Sequence, residues 1–238
     1  MEKDQKVLLG IIAFIFAVVI GIGVYLFITR DDKSLSDAAK FKKEYESLNG
    51  KTYEGTDIEY LEVKVDKDNL FKYASEEEAL KLLKNDTALI YFGFAPCPYC
   101  RSMINILNDV AKENEIKNIY YVDILNSRDT YEVINGQAVK ISSGTENYYK
   151  ILDILKKYLT DYEISDKDGK SYPTRVKRLY APTVVAVKDG QVVGFHEVTV
   201  DTAVKGKHLT KEEASQLKDI YQTMIDEMKS DMCTSKGC

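Results

Sequence analysis

Four cysteines fall in two close pairs, Cys97 with Cys100 and Cys233 with Cys238, rather than in a framework spread along the 238-residue chain. Such spacing suits redox or metal chemistry better than a disulfide scaffold. The first pair, Cys97-Pro98-Tyr99-Cys100, follows a continuous apolar run over residues 87–94 and precedes a helical pattern that reaches about residue 114. A cysteine at a helix N-terminus is exposed there, and the unpaired amides and the helix dipole stabilise its thiolate. The second cysteine lies one turn further in and can close a disulfide against the first. Cys97 is therefore expected to be the attacking nucleophile and Cys100 the resolving thiol. A lone C-x-x-C is a weak signal, but one that joins a strand to a helix inside a β-α-β unit is a strong one.

Two other readings stand beside this one. The pair could be an inert disulfide, or half of a zinc site completed by Cys233 and Cys238. Against zinc, those two lie in a tail after the last helix, and Pro98 suits a helix start better than a zinc knuckle. The tail pair could be a second redox pair that exchanges with the first, or a local disulfide that caps the last helix. The only histidines are His196 and His208, with no third ligand suggested for a metal. A serine hydrolase would need a nucleophile elbow, which is missing. No metal and no cofactor is expected.

The elements that must position the pair can be read from periodicity and punctuation. Residues 34–49 pattern as an amphipathic helix with Ser34 or Ser36 as cap and Gly50 as stop, a spacer from the membrane or a helix that packs on the domain. Residues 60–65 alternate like a strand. Ser75 with Glu78 three residues on forms a capping box for a helix over residues 76–85. Residues 87–94 read as a strand buried on both faces, and residues 118–125 as another. Ile134-Asn135-Gly136-Gln137 reads as a two-residue hairpin turn, because Asn-Gly tolerates the positive φ of a type I′ turn. A helix is expected over 145–159, a strand pair over 181–187 and 191–197, and a final helix from Thr210, capped with Glu213, to about Met228. The β-α-β pattern predicts an α/β fold with parallel strands around the cysteines.

Residues 7–29 carry no charge and are long enough to cross a bilayer at about 20 residues per span. A cleaved signal peptide would have a shorter apolar stretch, about 7–15 residues, and a small-residue cleavage site, which Tyr25-Leu26-Phe27-Ile28 does not provide. An uncleaved anchor is expected, and residues 1–30 are assigned to it. Lys and Arg counts alone would keep the following domain inside, yet a long domain translocates largely regardless of flanking charge. Thiol chemistry favours the outside, where disulfides persist. The net charge of −5 gives no electrostatic footprint for nucleic acid.

Phe94-Ala95-Pro96-Cys97-Pro98-Tyr99-Cys100-Arg101 and Tyr180-Ala181-Pro182-Thr183-Val184-Val185-Ala186-Val187 resemble the two signatures of the thioredoxin superfamily. More closely, the stretch from Tyr91 resembles membrane-anchored thioredoxin-like proteins and bacteriocin transport accessory proteins of Gram-positive bacteria. The resemblance implies a thioredoxin-like fold, a central mixed sheet flanked by helices, over residues 60–230. It follows a juxtamembrane segment at 31–59, is interrupted by an insertion at 126–180, and leaves a cysteine-containing tail at 231–238. It also implies that Pro182 is a cis-proline beside the cysteines, and that Pro96, Pro98, Tyr99, Ala181 and Pro182 form the surface a substrate backbone meets. Two departures stand out. Where the family has a buried acid six residues before the first cysteine, this chain has Tyr91, so the group that deprotonates the resolving thiol is unassigned. The tryptophan before the first cysteine is replaced by Pro96. The Pro-Tyr dipeptide resembles glutaredoxins, whose couples lie at about −200 to −230 mV, but their glutathione-binding Gly-Gly is absent.

The insertion is rich in tyrosine (Tyr131, Tyr148, Tyr149, Tyr158, Tyr162, Tyr172, Tyr180). These rings could grip a substrate or partner, although Tyr148, Ile151, Leu152 and Leu155 at helical spacing read as core. The function expected is that of a membrane-anchored, extracytoplasmic thiol–disulfide oxidoreductase. Its substrates would be thiols and disulfides of proteins or peptides, with a membrane electron-transfer partner. The alternative is a non-catalytic accessory module of an export system.

Overall fold

The computed structural model describes residues 18–20 and 35–230. Along the chain run α1 (Asp37–Glu46), β1 (Phe71–Tyr73), α2 (Glu76–Asn85), β2 (Ala88–Gly93), α3 (Pro98–Glu113), β3 (Ile119–Asp123), β4 (Thr130–Ile134), β5 (Gln137–Ser142), α4 (Glu146–Leu155), β6 (Asp161–Ser165), β7 (Ser171–Lys177), β8 (Thr183–Lys188), β9 (Gln191–Glu197) and α5 (Lys211–Lys229). The expected anchor over 7–29 lies outside the described residues apart from a helical turn at 18–20. Among the described residues no helix is long and apolar enough to cross a membrane. The tail with Cys233 and Cys238 also lies outside them.

A five-stranded mixed sheet in the order β1-β3-β2-β8-β9 forms the centre. β1, β3 and β2 run parallel, while β8 pairs antiparallel with both β2 and β9. All six residues of β2 are buried because strands flank it and helices cover both faces. Successive side chains of a strand point to opposite faces. Leu89 and Tyr91 accordingly enter the core shared with α1, α3 and α5, and Ala88, Ile90 and Phe92 enter the core shared with α2 and α4. This alternation decides that Tyr91 faces the helix carrying the cysteines. The architecture is a mixed α/β sheet with helices, compatible with the expected thioredoxin-like fold.

Helix starts follow the sequence closely. Ser36 caps α1, Ser75 and Glu78 close a capping box on α2, and Thr210 and Glu213 close another on α5. The Asn135-Gly136 turn has φ of 51° and 73° and joins β4 to β5, as a type I′ turn requires.

Three expectations are corrected. Residues 60–65 do not form a strand. Val63 and Val65 are buried alternately as the pattern demands, but the Asn49 side chain bonds both backbone polar groups of Val63, and Glu46 accepts from the Val65 amide. Side chains thus do the pairing that a neighbouring strand would have done. The domain boundary drawn at residue 60 falls inside the folded body, because Phe41 and Tyr45 of α1 are fully buried in the core and Phe41 stacks on Phe71 at 3.9 Å. The insertion holds a second hairpin, β6–β7, which packs on β4–β5 with Tyr131 and Tyr162 in edge contact at 5.8 Å. It escaped detection because Pro173 and the short polar strands mask its alternation.

Candidate functional site

The two cysteines sit at the C-terminal end of β2. Cys97 is the N-cap of α3, with extended backbone, and its Sγ accepts the Cys100 amide hydrogen at 3.2 Å. A thiol here does what a Ser or Asp cap usually does, and a thiolate does it better, since it meets the helix dipole. Pro98 holds the first helical position, where its missing N–H costs nothing. The Cys97 thiol also donates to the Ala181 carbonyl at 3.3 Å, and the Ala181–Pro182 peptide bond is cis. Residues 84 apart in sequence are thus brought into contact at the reactive sulfur. Neither thiol is in a disulfide in this structure.

The two sulfurs differ in electrostatics. Burial works against ionisation of Cys97, but hydrogen bonds from Cys100 and Tyr99 and the charge of Arg128 outweigh it, and its pKa is lowered. Cys100 is fully buried, and burial, followed by its hydrogen bond with Cys97 and the Cys97 charge, pushes its thiol well up. Cys97 was expected to be exposed, yet only 4% of it is accessible. Tyr53, on the loop after α1, donates to the Pro96 carbonyl at 2.9 Å and lies near enough to Cys97 to feel its charge. The Ala181–Pro182 loop lies against the sulfur, and Tyr53 stands nearby. Tyr99 is half-buried against the core beside them.

Beneath Cys100 lies a group of tyrosines. The Tyr91 and Tyr45 hydroxyls share a hydrogen bond at 2.8 Å, both side chains fully buried, and the Tyr91 hydroxyl draws the Cys100 pKa down against the effect of burial. The Tyr91 ring folds back over Gly93: a Cβ there would stand 2.2 Å from its hydroxyl oxygen, so only glycine fits. The Tyr221 hydroxyl is buried without a hydrogen-bond partner and lies within electrostatic range of Cys100. Tyr121 stacks on Tyr91 and donates to Glu44 at 2.9 Å, and Tyr73 donates to the same carboxylate. Burial raises the Glu44 pKa despite these bonds.

Arg101, next to Cys100, is 2% exposed. Its guanidinium donates to the carbonyls of Leu61, Tyr45 and Ala95 at 2.5, 2.8 and 3.2 Å and to Asn49 Oδ1 at 2.7 Å. It ties α1, the 47–65 segment and the loop before Cys97 to the helix of the redox pair. Sequence reasoning missed Tyr45, Arg101 and Arg128. Tyr45 sits on an element read as a possible spacer, and nothing local marks a buried arginine. His196 hydrogen-bonds the Thr199 carbonyl through Nε2 at 3.0 Å. Among the described residues no three His, Cys, Asp or Glu side chains converge as a metal-binding set.

Residues 63–141 match the family model described as TraF, the F plasmid transfer operon protein. That family is thioredoxin-like. The matched stretch contains β1, α2, β2, the Cys97–Cys100 pair, α3, β3 and most of the first hairpin, and stops short of Pro182. No curated protein matches the chain.

Proposed function

We propose that this chain is a membrane-anchored, extracytoplasmic thiol–disulfide oxidoreductase acting on thiols and disulfides of exported proteins through Cys97 and Cys100. The observation that carries the reading is the division between the sulfurs. One caps a helix, has a lowered pKa and touches the cis-proline loop; the other is buried and held protonated. The Cys97 thiolate attacks one sulfur of a substrate disulfide, forms a mixed disulfide and expels the other substrate sulfur as a thiolate. Cys100 then loses its proton and attacks Cys97. The Cys97–Cys100 disulfide forms, and the second substrate sulfur leaves and takes up a proton. The reverse sequence oxidises a substrate dithiol, so direction is set by the electron partner, which the proposed anchor would place at the membrane. Pro96, Pro98, Tyr99, Ala181 and Pro182 offer the surface for the substrate backbone. Cys233 and Cys238 would serve as a second pair only if removing residues 231–238 abolishes turnover with a membrane donor.

Alkylation of the reduced protein at mildly acidic pH is expected to label Cys97 and spare Cys100, and Cys100→Ser is expected to accumulate mixed disulfides that Cys97→Ser does not. Preferential labelling of Cys100 would overturn the assignment. Protease added to wall-stripped cells is expected to digest the domain, and full protection would refute the outward orientation. Likeness to a transfer operon family favours one second reading, a non-catalytic accessory module of an export system. That reading expects the double Cys97→Ser, Cys100→Ser variant to retain full function in cells.

A further inference from the structure

Arg128 stands near the redox pair and Arg178 near Arg128, and among the described residues neither makes an ion pair. Arg128 lies in the loop after β3, at the C-terminal edge of the parallel strands, the edge where open α/β sheets receive ligands. Its guanidinium stacks on Phe94 at 4.5 Å, three residues before Cys97, and its Nε is buried without a hydrogen-bond partner. Arg178 stacks on Tyr162 at 4.1 Å, three residues before Ala181. Among the described residues neither guanidinium has an ion pair. Arg128 feels the charge of Arg178, and the charge of Arg128 reaches Cys97.

Among the described residues none of the acids nearby pairs with either guanidinium, although Glu197 shares the surroundings of Tyr180 with Arg178 and accepts from Thr160 through Oε2 at 3.2 Å. Asp123 is within electrostatic range of Arg128, but its Oδ1 accepts the Leu125 amide at 2.8 Å. Asp129 pairs with Lys140 at 2.9 Å and accepts from the Gly144 amide and the Tyr149 hydroxyl. Two like charges held together on aromatic faces repel each other, a cost that an anion placed between them would reverse. Arginine forks are suited to carboxylates in particular. Folding alone does not explain the arrangement, since neither guanidinium satisfies a buried oxygen as Arg101 does.

We propose that Arg128 and Arg178 form an anion subsite flanking Cys97 that receives a substrate carboxylate, so that the preferred substrates carry an acidic residue close to the reacting cysteine. The inference rests on the redox reading and deepens it. It assigns a specificity role to the insertion, whose loops and hairpins bring the two residues to the site.

The test uses the full chain, reduced, in detergent micelles, with three aliphatic disulfides: dithiodipropionate, a dianion; bis(hydroxyethyl) disulfide, neutral; and cystamine, a dication. Each rate is divided by that of a free alkyl thiol with the same disulfide. The native protein is expected to favour the dianion over the dication. In the double Arg128→Gln, Arg178→Gln variant the dianion rate is expected to fall about tenfold relative to the neutral rate, in line with one charge-assisted contact. Arg128→Lys should keep part of the preference, and the neutral disulfide reports whether each variant still folds. Loss of thiolate stabilisation alone would move all three rates together. An unchanged ratio in the double variant, or equal normalised rates in the native protein, overturns the subsite. Failure of the native protein to react with any of the three overturns the redox reading itself, and the subsite with it.

Discussion

The two cysteines are one helical turn apart, and their surroundings are opposites. Beneath Cys100 the space is closed and aromatic, lined by the hydroxyls of Tyr91, Tyr45 and Tyr221 and capped by no charge in direct contact. Around Cys97 lie a helix N-terminus, a carbonyl of the cis-proline loop and the guanidinium field of Arg128. A pair of identical side chains acquires distinct tasks because a low-dielectric interior penalises the thiolate on one side and oriented N–H groups stabilise it on the other. The inner environment is assembled from α1, β2 and α5, and the outer one from the ends of β2 and β3 and the insertion. Each can therefore be perturbed separately.

The largest effect is expected on the inner side from Arg101→Ala. Four hydrogen bonds from a buried cation would vanish, leaving the carbonyls of Leu61, Tyr45 and Ala95 to be resolvated, and a cavity would open. A loss of about 3 kcal/mol or more is expected in urea unfolding. Were α1 a spacer outside the folded body, the variant would be close to neutral.

Tyr91→Phe comes next. It keeps the ring and removes one hydroxyl, so the Tyr45 hydroxyl loses its partner and the Cys100 thiol loses a neighbouring phenol, at a cost of about 1–3 kcal/mol. Adding Tyr45→Phe should cost less than the sum, because no buried hydroxyl of the pair is then left unsatisfied. The mixed disulfide at Cys97 should persist longer in Tyr91→Phe, since the phenol that favours the growing charge on Cys100 is gone, while alkylation of Cys97 stays at the native rate. A faster release of the mixed disulfide would remove Tyr91 from the resolving step.

The outer side was the more legible in the sequence. Cys97, Pro98 and the helix after them are local signals, and Pro182 followed from a resemblance carried by the adjacent residues 180–187. The capping boxes at Ser75 and Thr210 and the Asn135-Gly136 turn are also contained within a few positions, where backbone chemistry dictates the outcome. The inner side depends on long-range meetings. Tyr45 lies 46 residues before Tyr91, and Arg101 reaches back 56 residues to the Tyr45 carbonyl. Periodicity places a side chain on a face but does not say what will meet it there. Residues 60–65 show the same limit. Their alternation correctly marks Val63 and Val65 as buried, but the pairing comes from Asn49 and Glu46, which no strand pattern encodes. The departure from the family at Tyr91 was visible as a missing acid. That a second phenol would fill out its surroundings was not.

The smallest expected effect is a change in the pH dependence of stability, and it separates the two sulfurs most directly. For reduced protein, Cys97 has a lowered pKa in the folded state. Its contribution is fully present above the unfolded thiol value of about 8.5 and is lost as pH falls through the folded value. Cys100 has a raised pKa. Its contribution is fully present below about 8.5 and declines as pH rises, because the unfolded chain then ionises a thiol that the folded chain keeps protonated. The two slopes oppose each other, and stability of the reduced form from this pair should peak near the ordinary thiol value. Between about pH 8.5 and 9.5 Cys100 should cost roughly 1 kcal/mol, on top of a decline from the buried tyrosines that native and variant proteins share. Urea unfolding of native and Cys100→Ser protein under reductant, at matched pH values, isolates that slope. The variant should decline less steeply than the native protein on the alkaline side and keep the acid-side loss that belongs to Cys97. Parallel curves for the two proteins above pH 8.5 would mean that Cys100 ionises as readily inside as outside, and the contrast between a closed inner environment and a charged outer one would fail at its central residue.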